Sequence, residues 1–178
     1  MERTMKMSNS QNNWCSYKVD MPYPPVRVNG PNLIYACEIL SNVGGIISEM
    51  SDVSRYFYNA VVTEPKFGYI SECFHNISIV EMHHLNIFAQ LALLLGEDPR
   101  LWSGGACKCW WTPSYNQYPR EMRLLIDDSI KAEQAAICKY SKQAETIKDT
   151  NISAILNRII LDEERHIQIF NEMYHQLY

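Results

Sequence analysis

No two of the six cysteines form a C-x-x-C pair, no stretch approaches twenty consecutive apolar residues, and basic residues do not outnumber acidic ones. Each absence removes a class of function. A zinc ribbon or rubredoxin-type iron site has no ligand set here, because a tetrahedral shell needs four donors and Cys107-Lys108-Cys109 supplies two thiols. The longest apolar run, Ile87 to Leu95, is interrupted by Gln90 and falls short of the ~20 residues of a spanning helix, so no membrane partner is expected. With 16 Lys and Arg against 20 Asp and Glu, a net charge of −4, no phosphate-binding surface is expected and nucleic acid is set aside. Met1 to Ser10 are polar, without the apolar core of a leader, so the chain reads as cytoplasmic. In that compartment thiols stay reduced, and Cys37, Cys73 and Cys138, which lie in helical patterns, read as small buried apolar residues. Cys107 and Cys109 receive no role.

What is present is a chain of 178 residues, 47% hydrophobic, which fits one soluble domain able to bury roughly 70% of its unfolded surface. Residues 1–30 are rich in Asn, Ser and Pro and end in Met21-Pro22-Tyr23-Pro24-Pro25, which no helix accommodates. They are expected to form an extended arm laid along the domain or a neighbouring subunit. From residue 31 to 178 the apolar spacing is helical. Four long segments are expected, at about 31–63, 67–95, 119–148 and 151–176, with Pro31 in the first turn and Asn29 as a cap. Leu33, Ile34, Cys37, Leu40, Ile47, Val53 and Phe57 mark the inner face of the first segment. Gly44-Gly45 within it suits either a close approach of another element or a kink. The connection of residues 97–118 is long enough to cross the whole domain. The expected architecture is therefore all-α: an antiparallel four-helix bundle of two hairpins joined by one long crossover.

The informative residues repeat. Glu49 on the first helix is followed 32 residues later by Glu81-Met82-His83-His84, and Glu133 on the third is followed 30 residues later by Glu163-Glu164-Arg165-His166. A Glu and a His at i and i+3 lie one turn apart on the same side of a helix, so both aim at one point. Apolar neighbours at helical spacing place Glu49, Glu81, Glu133 and Glu163 inward. Four ionised carboxylates need cationic compensation in a low-dielectric core, and two divalent ions supply it. The expected ligands are Glu81 and Glu163 as bridges, with Glu49, Glu133, His84 and His166 terminal. Asp162 is placed to hold the far nitrogen of His84, and Asp52 or Asp128 are candidates to do the same for His166.

The constellation resembles the ferritin-like superfamily, and within it the rubrerythrin group. The string Glu49-Met50-Ser51-Asp52-Val53-Ser54-Arg55-Tyr56 resembles the rubrerythrin pattern of a ligand Glu followed seven residues later by a Tyr. That resemblance implies two metal ions per chain, iron first and manganese as the alternative, and a homodimer or larger homo-oligomer. It also implies chemistry on hydrogen peroxide or dioxygen, with Tyr56 near the metals; either Tyr56 or the unpaired Asp is a candidate proton source. Two departures bear on the activity. Position 136, where rubrerythrins carry a further carboxylate, is Ala136, and the rubredoxin domain with its C-x-x-C motifs is missing. A peroxidase built on this chain would need a separate electron-donor protein. A manganese catalase-like disproportionation of peroxide would not, and iron binding for storage, a ferroxidase role, is a third reading.

Overall fold

Asn32, not Asn29, opens the first helix: its side-chain oxygen accepts the N–H groups of Ile34 and Tyr35, two donors a helix start would otherwise leave unpaired. Asn29 is engaged elsewhere, its N–H donating to Asp149 at 2.6 Å. The computed structural model describes residues 16–104 and 107–178. The expected arm extends to residue 1, and its residues 1–15 lie outside the described residues. Among the described residues the α-helices are α1 (Leu33–Gly44), α2 (Glu49–Thr63), α3 (Gly68–Leu95), α4 (Met122–Thr146) and α5 (Thr150–Leu177).

The expected single first helix is two helices, and the reason lies at Gly44. A Cβ there would stand 2.5 Å from the backbone nitrogen of Trp102, because the crossover passes directly against the helix. The chain bends through residues 45–48, and Ser48 caps the restart by accepting the Ser51 N–H. Lys139 of α4 secures the bend, its Nζ donating to the carbonyls of Ser41 (2.8 Å) and Ile47 (2.7 Å) on either side. The restart gives α2 a new phase, in which Glu49, Asp52, Tyr56, Asn59 and Ala60 are buried. The inner face expected for one uninterrupted helix is accordingly corrected. Leu33, Ile34, Ile47 and Phe57 are exposed, while Ala36, Ile39, Leu40 and Val43 form the buried face of α1. Cys73 is buried as expected, whereas Cys37 is half-buried and Cys138 exposed.

α3 ends at Gly96, whose φ of 104° is the left-handed cap conformation that glycine adopts without a Cβ penalty. The crossover then forms a two-stranded antiparallel hairpin, β1 (Trp102–Ser103) with β2 (Cys109–Trp110), and a 3-10 turn at Pro113–Tyr115. It runs the length of the α1–α2 rod. Trp111 Nε1 donates to Ser51 at 3.1 Å, Asn116 reaches the Ser51 carbonyl, and Tyr58 donates to the Tyr118 carbonyl. α4 begins three residues later than the sequence pattern suggested.

Two apolar clusters fill the bundle. One gathers Ile39, Leu40, Phe88, Leu91, Tyr140, Ile155 and Ile159; the other gathers Tyr56, Ile70, Phe74, Ile77, Ile126, Phe170 and Met173. Along α3, Glu81 and His84 fall between the two clusters, and along α5 Glu163 and His166 do the same. The polar layer is thus sealed above and below by apolar side chains. Leu33–Thr63 and Gly68–Leu95 are long and apolar enough to cross a membrane by composition, but here both are rods of the bundle that turn acids into its core.

Candidate metal centre

Glu49 stands on α2, Glu81 and His84 on α3, Glu133 on α4, and Glu163 and His166 on α5. All six are buried, none more than 1% exposed. The structure thus brings together all six residues that the sequence nominates as ligands. They form two sets, Glu49–Glu81–His84–Glu163 and Glu81–Glu133–Glu163–His166, in each of which one donor atom per residue lies within 4.8 Å of the others. Glu81 and Glu163 belong to both sets, as bridging carboxylates must.

The two imidazoles face the carboxylates through Nδ1. His166 Nδ1 is 3.0 Å from both Glu81 and Glu163 and 3.3 Å from Glu133. His84 Nδ1 is 3.2 Å from Glu81, 3.3 Å from Glu163 and 3.7 Å from Glu49. Their outward nitrogens are held differently. His84 Nε2 donates toward Asp162 at 3.2 Å, the pairing the sequence suggested. His166 Nε2 donates to the backbone carbonyl of Tyr17 at 2.9 Å. A carbonyl only accepts, so Nε2 carries a proton and Nδ1 is the nitrogen turned to the cluster, where a metal would take the place of any proton on it. Neither Asp52 nor Asp128 serves His166: both pair with Arg55. Tyr17 leaves no side-chain signal in the sequence, because its contribution is a main-chain atom of the arm.

The arm is tied to this layer. Asp162 accepts the Val19 N–H at 2.7 Å and the Tyr23 hydroxyl at 2.5 Å. Arg158, one turn before Asp162, pairs with it at 2.7 Å and donates to the carbonyls of Val19 and Met21. Its guanidinium also stacks 4.3 Å over the Tyr23 ring. The Asn- and Pro-rich composition of the arm gave no hint of this.

Tyr56 lies at the centre, donating to Glu133 at 2.5 Å. Its counterpart was overlooked: Tyr140 donates to Glu49 at 2.5 Å. The signal was present, since Tyr140 follows Glu133 by the same seven residues that separate Tyr56 from Glu49. Each single-Glu helix thus carries the tyrosine that holds the other's carboxylate.

Charge is distributed unevenly. Burial pushes Glu49 and Glu133 well above the usual carboxylate range, with the charges of Glu81 and Glu163 adding to the effect. Glu81 is held below that range, because His166 and His84 outweigh its burial. The histidines go well above their ordinary value: burial opposes this, but Glu163 and Asp162 around His84, and Glu81 and Glu133 around His166, outweigh it. Burial likewise drives Tyr56 and Tyr140 up, so both remain donors. Glu49 Oε2, Glu81 Oε1, Glu163 Oε2 and His166 Nδ1 have no hydrogen-bond partner among the described residues although buried. Convergent acceptors without donors are costly unless a cation joins them, so the donor set fits divalent metal. Oxygen and imidazole ligands suit iron and manganese alike.

No protein-family model matches the sequence, and no curated protein does. Solved structures do match. KatB, a manganese catalase from Anabaena, superposes with a TM-score of 0.79 at 21% identity, covering 89% of this chain and 79% of KatB. A second KatB structure, from Anabaena PCC7120, gives 0.79 at 20% identity over 91% of this chain and 80% of that one. The dodecameric thioferritin of Bacteroides fragilis, a bacterioferritin-related protein, gives 0.65 at 18% identity, covering 83% of this chain and 88% of its own. The fold is ferritin-like. Within the ferritin-like bundle, the twin ligand sets lie at the layer where the four rods turn their acids to one another.

Proposed function

We propose that this chain is a di-metal redox protein that consumes hydrogen peroxide, with catalase-like disproportionation as its reaction. The observation that carries this is the sharing of Glu81 and Glu163 between two complete ligand sets. The whole-chain likeness to a manganese catalase supports the choice of reaction, and so does its economy: disproportionation needs no electron donor. Two metal ions would be held by Glu49, Glu81, His84, Glu133, Glu163 and His166, and would supply two electrons reversibly to peroxide.

The chain's own residues do the rest. Glu81 and Glu163 fix the spacing of the two positions. Asp162 and the Tyr17 carbonyl lock the outward protons of His84 and His166, keeping each Nδ1 lone pair on the cluster. Tyr56 and Tyr140 keep their phenolic protons on Glu133 and Glu49, which limits how far those carboxylates swing. The two apolar clusters keep bulk water from the layer. The likeness to a dodecameric thioferritin supports assembly into a higher homo-oligomer.

Elemental analysis of the untagged protein tests the centre: about two iron or manganese ions per chain are expected from the two ligand sets, and none after reconstitution would refute it. Sustained oxygen release from peroxide is the expected activity. A stoichiometric burst that resumes only with added reductant would replace disproportionation by a rubrerythrin-like peroxidase served by a donor protein. Uptake of ferrous iron with oxidation and retention, but no peroxide turnover, would point to storage.

A further inference from the structure

The two histidines of the centre are backed by unlike partners. His166 Nε2 donates to a neutral group, the Tyr17 carbonyl, at 2.9 Å. Behind His84 stands a charged one, Asp162, which is fully buried. A carboxylate so placed needs a partner on every side, and the source of those partners tells what the arm is for. Oδ1 accepts the Val19 N–H at 2.7 Å and pairs with Arg158 Nη1 at 2.7 Å. Oδ2 accepts the Tyr23 hydroxyl at 2.5 Å and faces His84 Nε2 at 3.2 Å. Two of these four partners belong to the arm, and a third, Arg158, is itself held by the Val19 and Met21 carbonyls.

Tyr23 closes a triangle. Its oxygen also lies 3.2 Å from His84 Nε2, so phenol, carboxylate and imidazole all touch one another. The phenol has one proton and gives it to Asp162, the shorter contact. Both oxygens then turn lone pairs toward Nε2, which is left to donate. The hydroxyl therefore directs the Nε2 proton in two ways, by steering Oδ2 and by offering its own oxygen. The ring is gripped as well: the Arg158 guanidinium lies 4.3 Å from its centroid, and His83 meets it nearly edge-on at 4.7 Å. The sequence explains how an arm can present a side chain so firmly. Tyr23 precedes Pro24 and follows Pro22, and the residue before a proline is confined to extended conformations, so little backbone freedom remains to be lost.

We propose that Tyr23 is a positioning residue for the metal position built on His84, acting through Asp162, and that it couples metal at that position to the seating of the arm. The proposal rests on the di-metal reading above and adds to it a residue and a regulation of one of the two positions. Coupling of this kind is reciprocal. If the seated arm tightens the hold on a cation, the cation holds the arm down by the same factor. The chain carries its own reporter of seating. Lys18 is exposed and lies between Tyr17 and Val19, whose main-chain groups are engaged by His166 and Asp162, so trypsin reaches the bond after Lys18 only when the arm has lifted.

The test compares wild type with Tyr23→Phe, which keeps the ring and loses the hydroxyl, and with Tyr58→Phe, which removes a phenol from the crossover contact instead. Three readings are taken: release of manganese(II) to excess chelator, tryptic cleavage after Lys18 with and without manganese, and exchange of the imidazole N–H protons in protein loaded with cobalt(II). In wild type, manganese is expected to slow the cleavage tenfold or more. In Tyr23→Phe one of the two ions should leave about tenfold to a hundredfold faster while the other leaves at the wild-type rate. Manganese should then slow cleavage of this variant by no more than about twofold. Of the two hyperfine-shifted N–H signals given by cobalt, only one should gain rapid exchange with water, a difference that general loosening does not produce. Tyr58→Phe is expected to match wild type in all three. Two ions released faster by the same factor, or a Tyr23→Phe variant indistinguishable from wild type, would overturn the assignment. Should Tyr23→Phe fail to fold, wild type decides: cleavage slowed by manganese supports the coupling, and equal rates with and without it refute it. A wild-type chain that takes up no metal removes the di-metal reading and the coupling together, whereas a chain holding two ions whose arm ignores them removes the coupling alone.

Discussion

Glu81 and Glu49 carry the same carboxylate, yet the geometry gives them different jobs. Glu81 belongs to both four-residue sets and Glu49 to one. Glu81→Ala is therefore expected to lose both metal ions, while Glu49→Ala loses one position and retains partial occupancy at the other. Equal losses from the two variants, measured as metal per chain, would contradict the bridging assignment. Tyr140 gives a second expectation. Its hydroxyl donates to the buried carboxyl of Glu49, and leaving a buried acceptor without its donor costs ~1–3 kcal/mol, so Tyr140→Phe should destabilise the metal-free protein by about 2 kcal/mol in urea unfolding. A change within a few tenths of wild type would mean that the phenol does not hold Glu49. These residues differ in how legible they were. The six candidate ligands announce themselves because two Glu-x-x-His strings, each preceded by an inward Glu at nearly equal distance, form a pattern with few other uses. Tyr140 was legible through the repeat and overlooked. The Tyr17 carbonyl was not legible, since main-chain atoms leave no mark on composition.

Among elements, the arm and the α1–α2 bend carry the departures from simple periodicity. Apolar spacing reports which residues can be buried, but it cannot report that Trp102 of the crossover lies on Gly44. That contact depends on residues far apart in sequence. Once the bend is made, the buried face of α2 is polar, and the polar residues are those the centre requires. Hence Ile47 and Phe57 are exposed where a continuous helix would have buried them. Gly44→Ala separates the two forces acting at the bend. Alanine favours helix by up to ~1 kcal/mol over glycine, but its Cβ would meet the Trp102 nitrogen at 2.5 Å and the Leu101 carbonyl carbon at 2.7 Å. Backbone cannot yield as a flexible side chain can, and overpacking typically costs ~1–3 kcal/mol, so a net loss of stability is expected. A gain in Tm would show that the crossover is free to lift. The arm offers a parallel case. Arg158→Ala removes donors to the Val19 and Met21 carbonyls and the partner of Asp162. Earlier proteolysis within residues 16–28 and faster loss of metal to a chelator are the expected outcomes, and unchanged rates of both would mean that the arm is held without it.

For the whole molecule, the four inward carboxylates make stability a function of metal and pH together. With protons in place of metal, Glu49 and Glu133 have folded pKa values above their unfolded ones, and so do His84 and His166. The sign is the same for all four. Each contributes stability that is complete below its unfolded pKa, about 4.3 for Glu and 6.5 for His, and is lost as pH rises toward the folded value. Glu81 and Asp162, held low, act oppositely: their contribution is present above the unfolded carboxylate range and is lost only in acid. Between pH 5 and 8 the first group governs, so the metal-free protein should melt at progressively lower temperature as pH rises. Metal replaces the protons that the cluster would otherwise retain, and its binding strengthens as those protons leave. The difference in Tm between metal-loaded and metal-free protein should therefore widen steadily from pH 5 to pH 8, as measured by scanning calorimetry at fixed ionic strength. A gap that stays constant over that range would mean that metal, if bound, sits on groups other than these six, because a cluster of four buried acids cannot exchange protons for cations without showing it in the pH dependence.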